Sequence, residues 1–186
     1  MNEEWESIHE KDLWVTNKLI LSTRLGYICG PAGTDVPYPD DYIVRPSMNL
    51  MGMGMCTRNE YLTGNTDHLH PAEIWSVIFQ GEHLSVDYYW GECSLVTRAT
   101  RAEGSPYYKF DRWDKVDMYV PPHPVLEELV GDYEWINCEY IDGHLIEVQF
   151  HNNSDFRHGN TVAIPVWEGG EYIEDPDYKR KGFIIY

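Results

Sequence analysis

Mostly apolar positions near the N-terminus recur every three or four residues, which predicts an amphipathic helix over about residues 12–26. The positions that carry this pattern are Leu13, Trp14, Asn17, Ile20, Leu21, Arg24 and Leu25. Asp12 is placed to cap the start of the helix, and Gly26 is placed to end it. We therefore expect one continuous helix here.

The segments that follow alternate between apolar and polar positions over short stretches, which is typical of strands. The predicted strands are Tyr42 to Arg45, Trp75 to Phe79, Leu84 to Tyr88 and Leu95 to Arg98. The second and third are joined near Gln80-Gly81, and the fourth continues their sheet. After the first strand, Gly52 and Gly54 lie one residue apart, so the backbone there can adopt positive φ angles and approach another group closely.

The sharpest pattern in the chain predicts a β-hairpin, because two alternating runs flank an Asp-Gly turn. Its apolar partners are all even-numbered: Ile136, Cys138, Tyr140, Ile146, Val148 and Phe150. Both sets can face one core only if the loop has an odd length, most simply the three residues 141–143. Glu139, Glu147 and Gln149 then share the opposite face. Carboxylate and amide oxygens on neighbouring strands suit Mg²⁺ better than Zn²⁺.

Composition and charge limit the class of protein. The chain has 186 residues, a length that allows one domain or two small lobes, and 42% of them are apolar, which excludes wholesale disorder. It contains 14 basic and 31 acidic residues, for a net charge of −17. A surface of this sign repels phosphate backbones and anionic lipids, which argues against nucleic-acid and membrane partners.

The cysteines and the N-terminus predict a compartment. The four cysteines lie far apart without a C-x-x-C pair, as expected of reduced thiols. The first residues are acidic, whereas a signal peptide begins with basic and then apolar residues. No apolar run is long enough to cross a bilayer. We therefore expect a cytoplasmic protein.

Basic residues concentrate between Arg98 and Lys115. This stretch contains five basic and three acidic residues, a local net charge of +2 in a chain of −17. Such a reversal marks a candidate anion site, with Arg98 as one candidate side chain.

Taken in chain order, these segments resemble the ATP-grasp superfamily of carboxylate–amine ligases, and they are similar to short chains of this kind from bacteriophages. The matching segments are Asn17-Lys18-Leu19, Gly26, Val36-Pro37, Ile43-Val44-Arg45-Pro46, Gly52-x-Gly54, Gly81 to Asp87, Glu139, and Ile146-Glu147-Val148-Gln149. The resemblance covers most of residues 17–153.

The resemblance implies an α+β fold in which two small, largely antiparallel or mixed sheets with flanking helices clamp a nucleotide cleft. Residues 1–186 would form one domain, with a first lobe at about 42–115 and a second at about 116–186. The implied ligands are ATP and Mg²⁺, and the implied partners are a nucleotide and an acceptor substrate.

The resemblance also implies residue roles in an acylphosphate-forming ligase. Arg45 and Arg98 would hold phosphates as catalytic residues, and Gly52 and Gly54 would let backbone N–H groups approach them. Asp87 would lie near the ribose or the metal. The Mg²⁺ ligands would be Glu139, Glu147 and Gln149.

Several positions depart from the family pattern. Arg45 replaces a lysine, Gln149 replaces an asparagine, and His151 stands where an arginine is often found. The resemblance begins by residue 17, so the family's N-terminal acceptor-binding domain is not matched.

Alternatives therefore stay open. Glu139 and Glu147 could form a solvated hairpin face, and Arg45 could form an ordinary salt bridge. The whole chain could be a non-catalytic acidic phage protein that binds a host protein on a degenerate ATP-grasp scaffold. A homo-oligomer also stays open, because a partner protein or a second copy of the chain could complete the cleft of a ligase.

Overall fold

A computed structural model describes residues 7–48, 56–105, 107, 109–156, 159–166 and 183–185. Gly52 and Gly54 lie outside the described residues. Within them, no helix combines the length and the apolar character needed to span a membrane. The four cysteines are unpaired.

The predicted N-terminal helix is in fact two short helices. A 3₁₀ helix spans Glu10–Thr16 and an α-helix, α1, spans Lys18–Arg24. The prediction of one continuous helix is wrong because Asn17 is extended (φ −91°, ψ 107°) and its side chain caps α1, accepting hydrogen bonds from the N–H groups of the second and third residues beyond it. Asp12 is buried and accepts a hydrogen bond from the Tyr133 hydroxyl at 2.8 Å instead of acting as a cap. Gly26, with φ +73°, follows the end of α1.

The described strands form a four-stranded and a seven-stranded sheet, and all their pairings are antiparallel. The first sheet has the order β1-β4-β2-β3, and its strands are β1 Cys29–Pro31, β2 Asp40–Pro46, β3 Arg58–Leu62 and β4 Glu73–Ser76. The second has the order β11-β10-β7-β6-β5-β8-β9, and its strands are β5 His83–Tyr89, β6 Glu92–Thr100, β7 Arg112–Lys115, β8 Trp135–Ile141, β9 His144–Gln149, β10 Val162–Pro165 and β11 Phe183–Ile185. Two short 3₁₀ helices, Pro124–Leu126 and Ser154–Phe156, complete the described elements. The expected α+β class with two sheets and few helices is confirmed.

The chain passes from the first sheet to the second at residues 77–82. The two strands that were predicted to be joined near Gln80-Gly81, β4 and β5, therefore lie in different sheets. β5 to β7 belong to the second sheet.

Each sheet buries one face in its own core. The first core contains Val36, Tyr42, Val44, Leu62, Leu69 and Trp75. The larger core behind the second sheet includes Leu84, Val86, Tyr88, Ile136, Cys138, Leu145 and Val148. Because side chains alternate along a strand, the odd-numbered residues of β2, β5 and β8 point away from these cores. The polar positions of both sheets are therefore held on the faces that remain.

The hairpin of β8 and β9 is confirmed, but its loop differs from the predicted one. The loop has two residues, Asp142 and Gly143, both with positive φ (+47° and +80°). The odd offset comes from a bulge: Glu139 pairs with Glu147 and Tyr140 with Leu145, which leaves Ile146 as the extra residue. Leu145 thus takes the core position that the sequence assigned to Ile146.

The passage between the sheets packs tightly against the hairpin loop. Phe79 stacks on His144 with ring centroids 4.1 Å apart, and Tyr27 meets Phe79 edge-on at 4.7 Å. Gly81 has φ +126°, and a Cβ atom there would lie 2.7 Å from the Cβ of Asp142. The position therefore requires glycine for both backbone and space.

Gly81→Ala is expected to lower the free energy of unfolding by about 2–4 kcal/mol, since it combines a strained φ with an overlap against Asp142. Gly64→Ala is the control because a Cβ there meets no atom within 4 Å, and we expect a change within about 0.5 kcal/mol. Urea denaturation of both variants measures the difference. Equal stability of the two would contradict the packing described.

Candidate functional site

Helix α1 directs a lysine into the space beside the second sheet. Lys18, Leu21 and Ser22 form the buried side of α1, at the spacing of one helical face. The Lys18 Nζ lies 3.2 Å from Glu147 Oε2, and the two residues are only 4% and 9% exposed. Burial lowers the pKa of Lys18, while the charge of Glu147 acts to raise it. A buried ion pair therefore links α1 to β9.

The hairpin brings two carboxylates and an amide together. Glu139 and Glu147 are direct partners on β8 and β9, and Gln149 follows on the same face. Gln149 Nε2 donates a hydrogen bond to Glu147 Oε1 at 2.7 Å. Glu147 thus has a partner on each carboxylate oxygen, Lys18 on one and Gln149 on the other.

A histidine on the neighbouring strand contacts the second carboxylate. His83 Nε2 lies 3.0 Å from Glu139 Oε2. The imidazole packs edge-on against Phe110 and Trp113, with ring centroids 4.9 and 5.5 Å away. Burial acts to raise the pKa of Glu139, but the hydrogen bond with His83 and the charges of Lys18 and Arg45 outweigh it, so the pKa is lowered. Glu139 is therefore held as a carboxylate.

Arg45 reaches the same space from the first sheet. It lies on β2 opposite Ile74 of β4 and is 9% exposed. Burial lowers the pKa of its guanidinium, and the nearby charges of Glu147 and Glu139 act to raise it. The buried Nε has no hydrogen-bond partner among the described residues. A buried donor without a partner is costly, so this atom marks a place where a ligand acceptor would fit.

Asp87 lies on the same face of the second sheet but supports a loop. It sits opposite Asn137, whose Nδ2 donates to its carboxylate at 2.7 Å. The backbone N–H of Asn153 lies 2.9 and 3.1 Å from the two carboxylate oxygens. Burial raises the pKa of Asp87. These bonds hold the segment around Asn153 over the sheet.

The structure does not bring Arg98 to this site. Arg98 is the β6 partner of Leu84, whose side chain belongs to the core behind the sheet, so the two share the face opposite to Glu139. Its Nε lies 2.5 Å from Glu82 Oε1, in a half-exposed ion pair. Arg98 therefore forms a surface contact apart from the other predicted site residues, and its phosphate role stays a prediction.

The sequence reasoning did not single out Lys18 or His83 as site residues. Lys18 was named only within the Asn17-Lys18-Leu19 segment that resembles the ATP-grasp superfamily. It also lies on the same helical face as Leu21 and Leu25, where a lysine is unusual. The signal for His83 is the alternation of β5, which puts His83, Ser85 and Asp87 on the polar face. Neither pattern showed which carboxylate each would meet.

The donor set fits Mg²⁺ when a ligand shares the coordination. Among the described residues no three His, Cys, Asp or Glu side chains are grouped to hold a metal ion. Mg²⁺ is often held by only one or two carboxylates, with waters and substrate phosphates completing its shell. Glu139 and Glu147 are paired across two strands and interact with the charge of Arg45, whose Nε has no partner among the residues described, so they match that mode.

A polar cavity of about 370 Å³ lies where β2 and β3 meet the passage between the sheets. Its lining is Tyr38, Asp40, Asp41, Tyr42, Asn59, Val77, Ile78, Gln80 and Tyr107. Asp41 lies four residues before Arg45 on β2, so the two share a face of that strand. The cavity therefore lies further along the sheet that carries Arg45.

No protein-family model matches the sequence, and no curated protein matches it significantly. Solved structures do match. One is a candidate ATP-grasp superfamily protein from Archaeoglobus fulgidus, with a TM-score of 0.53 and 14% identity over 92% of this chain and 64% of that chain.

Two further matches are an L-amino acid ligase from Bacillus licheniformis and the ATP-grasp ligase PsnB in complex with a phosphomimetic variant of its minimal precursor, Mg and ADP. Their TM-scores are 0.47 and 0.41, with 12% and 13% identity. They cover 75% and 77% of this chain, and the chain spans 41% and 51% of theirs. This chain thus spans less than two thirds of each of the three proteins, and it shares the fold of the Archaeoglobus fulgidus ATP-grasp superfamily protein.

Proposed function

We propose that this chain is an ATP- and Mg²⁺-dependent, ligase-like domain in which a carboxylate acceptor is phosphorylated by ATP and the acylphosphate is captured by an amine. The observation that carries the proposal is the buried Nε of Arg45, which has no hydrogen-bond partner in the part of the chain that the structure describes. The charges of Glu147 and Glu139 act on this guanidinium, and Glu147 also binds Lys18. The ATP-grasp fold supports it.

Lys18 and Arg45 would hold the phosphates. Both are cations removed from water, where their attraction for a polyanion is screened less than at the surface. Arg45 offers a planar fork that can donate two parallel hydrogen bonds to phosphate oxygens. Lys18 offers a point charge that Glu147 holds in place. Phosphoryl transfer depends mainly on such positioning and charge neutralisation.

Glu139, Glu147 and Gln149 would hold Mg²⁺, which when bound neutralises negative charge on phosphate oxygens. His83 would fix the orientation of the Glu139 carboxylate through their 3.0 Å contact. The aromatic rings around His83 limit the access of water to that side.

The polar cavity near the passage between the sheets would take the base or ribose end of the nucleotide. The carboxylates of Asp40 and Asp41 repel phosphate but can accept hydrogen bonds from amino or hydroxyl groups. Val77 and Ile78 add apolar surface for a ring.

One observation favours a second candidate, a non-catalytic binding protein of a phage on this scaffold. Lys18, Gln149 and His83 already satisfy oxygens of Glu147 and Glu139 within the chain. In that case Lys18, Arg45, Glu139 and Glu147 would stabilise the fold and bind no nucleotide. The partner would then be a host protein in the cytoplasm.

Thermal unfolding with ATP and Mg²⁺ separates the two candidates. At a nucleotide concentration about 100 times Kd, mass action stabilises the folded chain by about 2.7 kcal/mol, which for a domain of this size raises the Tm by roughly 5–10 °C. Glu147→Gln should abolish most of this rise, because it removes a metal-binding charge. The variant keeps an amide oxygen that can still accept a hydrogen bond from Lys18. Glu147→Ala is less informative, since it leaves Lys18 buried without its partner.

Glu103→Gln, a change at an exposed loop position, is the matched control and should keep the full rise in Tm. If millimolar ATP with Mg²⁺ leaves the Tm of the unmodified chain unchanged, the ligase proposal fails and the binding-protein candidate is favoured.

A further inference from the structure

Three aromatic residues, two of them exposed and one half-buried, lie at one end of the second sheet. This aromatic patch consists of Tyr89, Trp90 and Trp135. Tyr89 and Trp135 are direct partners on β5 and β8, with ring centroids 4.6 Å apart and planes inclined by 45°. Tyr89 is 44% exposed and Trp90 is 54% exposed. Neither belongs to the core behind the sheet.

Trp90 occupies a backbone position that suits a different residue. The turn between β5 and β6 consists of Trp90 and Gly91, with φ +46° and +85°. Two-residue turns with two positive φ angles strongly favour Asn and Gly. A tryptophan here is strained, and 54% of its surface is exposed. Asn or Gly would avoid this strain, so an external contact of the exposed half gives a reason for the tryptophan.

The charges around the aromatic patch are predominantly acidic. Glu92 is exposed and is the β6 partner of Tyr89. Glu134 is also exposed, and its carbonyl accepts the hydrogen bond from the Trp90 N–H at 3.0 Å. Asp132 follows Gly131, which borders Gly91. The basic residue in this region is Lys11, whose Nζ lies 3.5 Å from Asp132 Oδ2.

We propose that the aromatic patch binds an arginine-containing segment of a partner protein. Guanidinium groups stack on Trp and Tyr rings through cation–π attraction, and the neighbouring carboxylates add charge complementarity. A second copy of this chain fits poorly, because each copy carries a net charge of −17. The patch lies at the end of β5, beyond Asp87, whose carboxylate accepts a hydrogen bond from the backbone N–H of Asn153. It contains none of the residues proposed to bind the nucleotide, so this proposal does not rest on nucleotide binding.

Calorimetric titration of the full chain with a short peptide of alternating arginine and glycine tests the proposal, and a peptide with glutamate in place of arginine serves as its counterpart. We expect binding of the arginine peptide that weakens with added salt, and no binding of the glutamate peptide. Trp90→Gly should reduce the affinity by about tenfold, the range of a partly desolvated cation–π contact. The variant should stay folded, because glycine suits the positive φ.

Trp90→Asn is a second variant that the turn accommodates, and it should behave in the same way. Tyr61→Ser removes another exposed aromatic side chain, 63% exposed on β3, and should leave the affinity unchanged. The proposal is overturned if the arginine peptide does not bind at millimolar concentration, if the glutamate peptide binds equally well, or if the Trp90 variants keep full affinity.

Discussion

Lys18→Met is expected to lower the free energy of unfolding by about 3 kcal/mol, at the lower end of the range for removing one partner of a buried ion pair. The substitution keeps the length and much of the volume of the side chain but leaves Glu147 buried without its 3.2 Å partner. The nearby charge of Arg45 compensates part of the loss. Chemical denaturation at neutral pH measures the change.

Two further variants identify the cause. Adding Glu147→Gln to Lys18→Met removes the uncompensated charge and should restore most of the lost stability, since a neutral pair can be nearly as stable as a buried ionic one. Lys11→Met removes an exposed lysine that lies 3.5 Å from Asp132 and should change stability by less than about 1 kcal/mol. A Lys18→Met chain as stable as the unmodified protein would mean that the pair does not form.

Arg45→Met is expected to weaken binding of ATP with Mg²⁺ by roughly a hundredfold, because it removes a buried, charged hydrogen-bond donor. Arg45→Lys should lose only part of the affinity, since it keeps the positive charge but not the planar fork. Calorimetric titration of the folded variants with the nucleotide measures both effects.

Arg98→Ala provides the contrast for Arg45. Arg98 also carries a permanent charge, but it pairs with Glu82 on the other face of the sheet. We expect full nucleotide affinity in this variant. If Arg98→Ala weakens binding as much as Arg45→Met does, the loss in Arg45→Met is not specific to the space beside Arg45.

The alternation of apolar and polar positions predicted many of the strands. It located β2, β5, β6 and the hairpin of β8 and β9. The even-numbered apolar residues of that hairpin correctly required an odd offset between its strands. A bulge at Ile146 and an odd loop satisfy this requirement equally, because each shifts the register by one residue. The pattern alone therefore could not choose between them.

Other features depend on contacts that local patterns do not contain. The break at Asn17 arises because its side chain caps α1, a role that asparagine favours over a helix interior. The spacing of three or four residues alone does not show this break, because position 17 also fits one continuous helix. The placement of β4 and β5 in separate sheets depends on which strands each one meets. For the candidate site, the hairpin supplied Glu139 and Glu147, but the approach of Lys18 from α1 and of Arg45 from the first sheet is a product of tertiary packing.

The arrangement of Lys18, Arg45, Glu139 and Glu147 has a consequence for the order in which ligands would enter. The two positive and two negative groups cancel, so a free divalent cation meets two repelling cations and a free polyanion meets two repelling carboxylates. Each ligand alone gains little, whereas the first to arrive supplies the countercharge that the second needs. This is positive linkage, and it is reciprocal: the metal would tighten the nucleotide by the same factor by which the nucleotide tightens the metal.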